Sequence, residues 1–415
     1  MKNVLIVGGG IIGLSSALYL KASGFDVTVI DKSDFLDNCS YGNAGYVCPS
    51  HFIPLATPGI VKQGFKWMLN SKSPFYVQPR LSRSLLEWGI RFIQSATAEK
   101  VEKAAIPLRD IALLSQKEYE TWARTPGFEF AYEHKGLLEI FQTEAKREHA
   151  IHALEKAREL GLGARMLDES ELHALEPGTK IRSMGAVIYD CDSHLYPNRL
   201  MRSLMERLKS MGVRLIPNEE VKQFETAKGL VRKLITTSDY DVDQLVVATG
   251  SWSREIAFLL ETRIPMVPGR GYSITLENPG YMLNHPAVLM ESRVAITPMD
   301  GNKMRFGGTM EITSTTSPPR MNRVLGIIGA VKKYFPDFEV PVPSLDKVWY
   351  GFRPCSADGL PYIGRIKKFR NVVIATGHSM LGLSLGAGTG KLVDEIICEK
   401  NTSMDISPFA VERFS

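Results

Sequence analysis

The stretch from Val4 to Asp31, VLIVGGGIIGLSSALYLKASGFDVTVID, leaves few choices of fold. Val4 to Val7 is a short apolar run of strand character. Gly8, Gly10 and Gly13 follow in G-x-G-x-x-G spacing. Ile12, Leu14, Ala17, Leu18 and Leu20 then recur with a helical rhythm that Gly24 ends. Phe25 to Ile30 is a second strand-like run, closed by Asp31. In that order the pieces make a βαβ unit with a phosphate-binding turn.

Each residue type has a reason. Gly8 allows a sharp exit from the strand, Gly10 leaves room for a pyrophosphate at the backbone, and Gly13 lets the helix lie close to the sheet. The helix start, with Ile11 and Ile12, offers free N–H groups and the positive end of the helix dipole. Asp31, followed by Lys32, is placed to accept hydrogen bonds from a ribose and disfavours a 2′-phosphate. Two competing readings are weaker. A secretory signal behind Lys2 would lack the glycines and carry a small-residue cleavage site. A βαβ unit that binds nothing would not need Asp31.

The chain has 415 residues, enough for two domains. With 44% apolar and 23% charged residues it reads as globular, and no stretch is long and continuous enough for a membrane-spanning helix. A net charge of +5 makes no case for nucleic acid but is compatible with peripheral contact to an anionic membrane. Cys39, Cys48, Cys191, Cys355 and Cys398 are scattered and odd in number. Free thiols in a reducing compartment are expected, and no metal site is indicated by cysteine or histidine spacing.

Along the chain, Ser40 to Gly45 is small and turn-forming. Phe52 to about Trp122 looks helical. Leu85, Leu86, Ile90 and Ile93 form one apolar stripe, and Ile111, Leu114 and Tyr119 another. Trp67, Trp88 and Trp122 are expected in a domain core. Strands are expected near Phe128 to Phe141, Gly185 to Asp190, Val213 to Ile216 with Val221, and Asn371 to Thr376. Helices are expected over Thr143 to Leu160 and from Pro197, with Leu200, Leu204 and Leu208 on one face. Gln244 to Thr249, ending at Gly250, reads as a return to the nucleotide-binding sheet. From Arg263 to Phe335 alternating segments predict an antiparallel sheet suited to covering a substrate. His194 is as expected in a solvated loop as in an active site. With no linker in evidence, two domains interleave.

Taken together, VGGGIIG, SYGNAGYV, VVATGSW, GFRP-x-x-x-DGLPYIG and TGHSMLGLSLGAGTG resemble the FAD-dependent D-amino-acid oxidase superfamily, from Met1 to about Glu399. The SYGNAG and TGH-x-x-LG blocks resemble its bacterial D-amino-acid dehydrogenase branch. The resemblance implies an α/β fold. A Rossmann-like FAD-binding domain (residues 1–50, 185–260 and 345–415) would interleave with an antiparallel-sheet substrate domain carrying a helical insertion (51–184 and 261–344). It implies non-covalent FAD, since Cys355 does not match the position of the flavin-linked cysteine in some relatives. Asp31 would meet the adenosine ribose, although many relatives carry Glu there. Val221 would lie by the adenine, and Asn43, Ala44 and Gly45 by the isoalloxazine. Thr249, Gly250 and Trp252, then Gly377, His378, Met380, Leu381, Gly382 and Leu383, complete the implied cofactor site. A helix from near Gly382 would aim its N-terminus at the flavin pyrimidine, where reduced flavin gains negative charge.

Arg353 matches the arginine that grips the substrate carboxylate, a role its planar fork suits. Tyr272 and His51 are implied as further pocket residues. The implied reaction is oxidation of a D-amino acid, D-proline or hydroxyproline included. Hydride transfer to flavin N5 gives an imino acid, which water converts to a 2-oxo acid and ammonia. Electrons would pass to a quinone, an electron-transfer protein or oxygen. The expected location is the cytoplasm or the inner face of the plasma membrane. Two alternatives stand: a glycine or sarcosine oxidase using oxygen, and a flavin-binding partner subunit without amine chemistry.

Overall fold

The computed structural model describes residues 2–36, 38–59 and 73–414. Trp67 lies outside them. The opening stretch forms β1 (Asn3–Val7), α1 (Ile11–Ala22) and β2 (Asp26–Ile30). Both strands are buried almost throughout, which explains why each reads as a continuous apolar run rather than an alternating one.

Around this unit a six-stranded sheet assembles in the order Tyr362–Arg365, Val372–Thr376, Gln244–Val247, β1, β2, Arg214–Ile216. All neighbours are parallel except the first pair. The strand expected at Gln244 therefore does return to the nucleotide-binding sheet. The helix Pro197–Ser210 carries Pro197 in its first turn and buries Leu200, Leu204 and Leu208. The helix Gly386–Ile397 is sandwiched by α1 and by the long helix Ala98–Ala123. A Cβ on Gly390 would come within 2.6 Å of the Ser15 carbonyl carbon, and one on Gly388 within 2.9 Å of the Ser115 nitrogen. Larger residues there would push the layers apart.

Among the described residues a second, nine-stranded sheet runs Trp349–Ser356, Met266–Glu277, Lys303–Ile312, Val294–Met299, Ala287–Leu289, Leu137–Phe141, Gly185–Tyr189, Arg165–Leu167. Phe75–Val77 joins Lys303–Ile312. Two of its strands, Gly185–Tyr189 and Trp349–Ser356, come from segments expected with the nucleotide-binding part. Their pairing partners are Leu137–Phe141 and Met266–Glu277 instead.

The apolar stripe on the helix Arg83–Ser95 lies largely on its outer side. Leu86, Ile90 and Ile93 are 67%, 49% and 58% exposed, and Leu81 just before the helix is fully exposed. The buried face is Trp88 with Phe92, one turn apart and stacked at 4.7 Å between centroids, in a cluster with Met310, Ile312 and Cys355. Two aromatic rings bury more area than the aliphatic stripe and fix which side turns inward. Trp122 is in the core, as expected.

Candidate active site

The glycine turn is held by packing as well as by conformation. Gly8 has φ +112°, and a Cβ there would lie 2.4 Å from the Ala248 oxygen. A Cβ on Gly13 would lie 1.8 Å from the Gly8 oxygen, whereas one on Gly10 meets nothing closer than the Ser40 hydroxyl at 3.6 Å. Gly8 and Gly13 thus build the turn, and Gly10 keeps its open side clear. The start of α1 has no side-chain cap of its own. Ser40 Oγ, from the loop after β2, accepts from the Ile11 N–H at 3.1 Å. The Asp31 carboxylate accepts from the Gly9 N–H at 2.6 Å and from the N–H and hydroxyl of Ser33 at 2.7 Å. It therefore ties the end of β2 to the glycine turn in addition to any ribose contact.

The turn opens into a cavity of about 2080 Å³ running between the two sheets. That exceeds the range usual for a single small ligand, ~300–1,000 Å³. Gly8, Gly10, Ile11, Ile12, Asp31 and Lys32 line one end, with Val221, Thr249, Gly250 and Trp252 beside them. The Lys32 ammonium sits 3.9 Å from the centre of the Trp252 ring. Asn43, Ala44, His378, Met380, Leu381, Gly382 and Leu383 line the middle. Gly13, Gly45 and Gly377 do not line it. Gly45 (φ +82°) and Gly377 (φ +80°) shape the turns behind the wall. The regular helix begins at Gly386 rather than near Gly382, after a short 3₁₀ turn at Ser379–Leu381.

The loop Tyr41–Gly45 is pinned by Arg305, which sequence reasoning did not single out. Its guanidinium donates to the carbonyls of Tyr41 (2.9 Å) and Asn43 (2.6 Å), to Asn198 and to Thr275. Burial pushes its pKa down to about 10, which leaves it charged at neutral pH. Ser273 Oγ adds a bond to the Gly42 carbonyl. No local pattern reveals such a clamp, because its partners in the loop, Tyr41 and Asn43, lie more than 250 residues away in the chain.

Arg353 stands in the edge strand Trp349–Ser356, opposite Gly269. Side chains alternate across a strand, so Arg353 shares a face with Gly269, Gly271 and Gly351. A Cβ on Gly271 would lie 2.2 Å from the guanidinium. The missing side chain is what lets the arginine lie flat on the sheet. Among the described residues Arg353 Nη1 donates to the Thr309 carbonyl at 2.5 Å and approaches Met310 Sδ. Arg353 also lines the cavity. Burial lowers the Arg353 pKa.

Tyr272 projects from the opposite face. Its hydroxyl donates to Glu311 at 2.9 Å and accepts from the Arg320 N–H at 2.9 Å, and its ring packs beside Arg270 and Tyr350. Arg270 and Glu311 form an ion pair with no exposed surface. Tyr272 touches the cavity wall but spends its hydroxyl on that network. His51 lines the cavity and lies parallel to Tyr46; burial pushes its pKa down to about 4, so it is neutral. His378 is buried with Nε2 3.0 Å from Thr389 Oγ1 and a pKa lowered to about 3 by burial. His194 is buried in the two-stranded pairing with Tyr46–Val47, not in a solvated loop.

A glycine turn on a parallel sheet, an acid at the next strand end and an arginine fork share one cavity. Comparison with known proteins bears on what fills it. The family model described as FAD dependent oxidoreductase matches residues 3–396. A D-amino acid dehydrogenase of Granulibacter bethesdensis is 28% identical with all of both chains covered, and one of Helicobacter pylori is 30% identical over 94% of each. The crystal structure of glycine oxidase from Geobacillus kaustophilus superposes with a TM-score of 0.76 at 21% identity, covering 100% of this chain and 99% of the other. The cradle found here, cleared by Gly10 and braced by Gly8, Gly13 and Asp31, fits the dinucleotide part of such a cofactor. The chain belongs to the FAD-dependent oxidoreductase family and is an FAD-dependent enzyme.

Proposed function

We propose that this enzyme oxidises D-amino acids to imino acids that water converts to 2-oxo acids and ammonia, while D-proline or hydroxyproline would give a ring imine that keeps its nitrogen. The observation that carries the reading is Arg353: a guanidinium anchored through Nη1 on the Thr309 carbonyl, in a residue that lines the same cavity as the glycine cradle. Two parallel N–H bonds to a carboxylate fix both the position and the plane of an amino acid. FAD, when bound, supplies the acceptor for the two electrons and the hydrogen of the α-carbon. Gly8, Gly10 and Gly13 with the start of α1 would hold its pyrophosphate, Asp31 its ribose, and the loop Asn43–Gly45 its ring system. The chain's own part in the chemistry is orientation. The imidazoles of His51 and His378 stay neutral through burial. With so little basicity neither imidazole is suited to take the proton of an ammonium group, and the reading has the amine enter unprotonated.

The same reading assigns the six-stranded sheet to the cofactor and the nine-stranded sheet to the substrate, so that 185–189 and 349–356 belong with the latter. It also assigns the electron acceptor to a membrane quinone or an electron-transfer protein. The exposed row Leu81, Leu86, Ile90 and Ile93, beside Arg83 and Arg91, supports contact with an anionic membrane surface. Among the described residues no helix is long and apolar enough to cross a membrane.

Anaerobic mixing of the yellow enzyme with D- and L-amino acids, prolines, glycine and sarcosine tests the assignment. Bleaching by D-amino acids or prolines is expected. Bleaching by glycine or sarcosine alone, with rapid peroxide formation in air, would replace the dehydrogenase reading with an oxidase. No bleaching by any amine would leave a flavin carrier. Flotation with anionic vesicles, lost in Leu86→Asp/Ile90→Asp, checks the membrane contact.

A further inference from the structure

Cys48 and His51 stand three residues apart in Cys-Pro-Ser-His, and the fold brings Asp192 to them from 140 residues away. One ligand atom of each lies within 4.8 Å of the others. Bonds of 2.0–2.3 Å to a shared tetrahedral ion set ligand atoms about 3.6 Å apart. The three atoms therefore need to close by about an ångström or less, within reach of side-chain rotation.

Two independent features at this place ask for a cation. The first is His51 Nδ1, which is buried and, among the described residues, has no hydrogen-bond partner. An orphaned buried imidazole nitrogen costs about 1–3 kcal/mol unless something occupies it. The second is Asp192. It has no exposed surface, and among the described residues the donors that reach it are neutral. The Ser50 N–H lies at 3.1 Å, the Ser50 hydroxyl at 2.5 Å and the Cys191 thiol at 3.5 Å. Buried carboxylates are ordinarily paired with a cation or a metal.

We propose that Cys48, His51 and Asp192 bind a borderline-soft divalent cation of the zinc class. Thiolate, imidazole and carboxylate together select zinc over magnesium or calcium, which prefer oxygen alone. Binding releases the thiol proton and neutralises Asp192. The ion would tie the segment Tyr46–His51 to Asp192, next to where Tyr46–Val47 already pairs with Ser193–His194. The Cys48 N–H also donates to Ser384 Oγ at 3.0 Å, so the tie reaches the turn before the helix Gly386–Ile397. The site is structural, and it stands whether or not D-amino acids are the substrate.

The test uses the flavin-loaded enzyme, stripped with a chelator and titrated with Co²⁺ alone. The expected result is one cobalt per chain, with tetrahedral d–d absorption to the red of the flavin bands, displaced by Zn²⁺. Cys48→Ser and His51→Ala should each weaken cobalt binding at least tenfold, whereas Cys398→Ser, remote from the site, should leave it unchanged. Should Cys48→Ser fail to retain flavin and fold, Asp192→Asn provides the same readout from the ligand on the distant segment. Absence of a stoichiometric cobalt spectrum in the unaltered enzyme, or an identical spectrum in Cys48→Ser or Asp192→Asn, overturns the site.

Discussion

The two walls of the cavity are built by different rules. On the nucleotide side, the turn between β1 and α1 is a local object. Its glycines, its helix start and the acid closing β2 lie within 24 residues, and their spacing alone dictates their geometry. On the other side, Arg353 and Tyr272 stand on neighbouring strands, and their roles depend on which way each strand faces. The register that sets Gly269 opposite Arg353 puts Tyr272 on the reverse face, in the Arg270–Glu311 network. Function on the first wall follows from proximity in sequence; on the second it follows from parity along a strand.

That contrast can be broken most sharply within the glycine turn. Gly10→Val should give protein that is folded but colourless, because its Cβ meets no protein atom closer than 3.6 Å in the direction reserved for phosphate. Gly13→Val should lose both colour and cooperative melting, since its Cβ would sit 1.8 Å from the Gly8 oxygen. Circular dichroism and flavin absorbance separate the two, and equal melting behaviour would show that the turn is not divided in this way.

On the substrate wall, Arg353→Ala should lower kcat/KM for amino acids about ten- to 150-fold, equivalent to about 1.5–3 kcal/mol for a lost charge-assisted bond. Unaltered kinetics would remove Arg353 from the carboxylate. Next in size is an acid effect between the walls. Burial lowers the His378 pKa to about 3, while the unfolded imidazole titrates near 6.5. Between those values the unfolded chain holds a proton that the folded one does not. Stability should therefore fall as pH falls from about 6.5 toward 3, by up to about 1.4 kcal/mol per pH unit from this group. Urea melts of His378→Asn against the parent, taken across that range, should show the slope flattened by about one proton. The smallest effect on substrate handling is expected of Tyr272→Phe, which removes a bond to Glu311 on the far face. KM should stay within about twofold while stability drops by about 1.5–3 kcal/mol, as for other bonds to charged groups. A KM rise matching that of Arg353→Ala would return the Tyr272 hydroxyl to the substrate.

The same division explains what could be read from the chain unaided. The βαβ unit, the returning strand at Gln244, the antiparallel region after Arg263 and the arginine of the GFRP block all announce themselves through local pattern. Arg305 and Ser40 do not, because each acts through a partner far off in sequence or through a helix end that has no cap of its own. The stripe Leu85, Leu86, Ile90 and Ile93 shows the limit of periodicity. A helix with two apolar faces gives no hint of which is covered, and here Trp88 and Phe92 won the interior. The strands Gly185–Tyr189 and Trp349–Ser356 likewise gave no sign in advance of which sheet would recruit them.

The hold of Arg305 on Tyr41 and Asn43 has a consequence for how the protein is made. A ribosome that has finished the first fifty residues has released every glycine of the cradle, yet the loop beside it waits for an arginine synthesised 260 residues later. The six-stranded sheet itself is not whole until Val372–Thr376 emerges. A nascent or truncated chain therefore displays the nucleotide signature without the means to keep the nucleotide, and cofactor capture becomes a checkpoint on completion of the polypeptide.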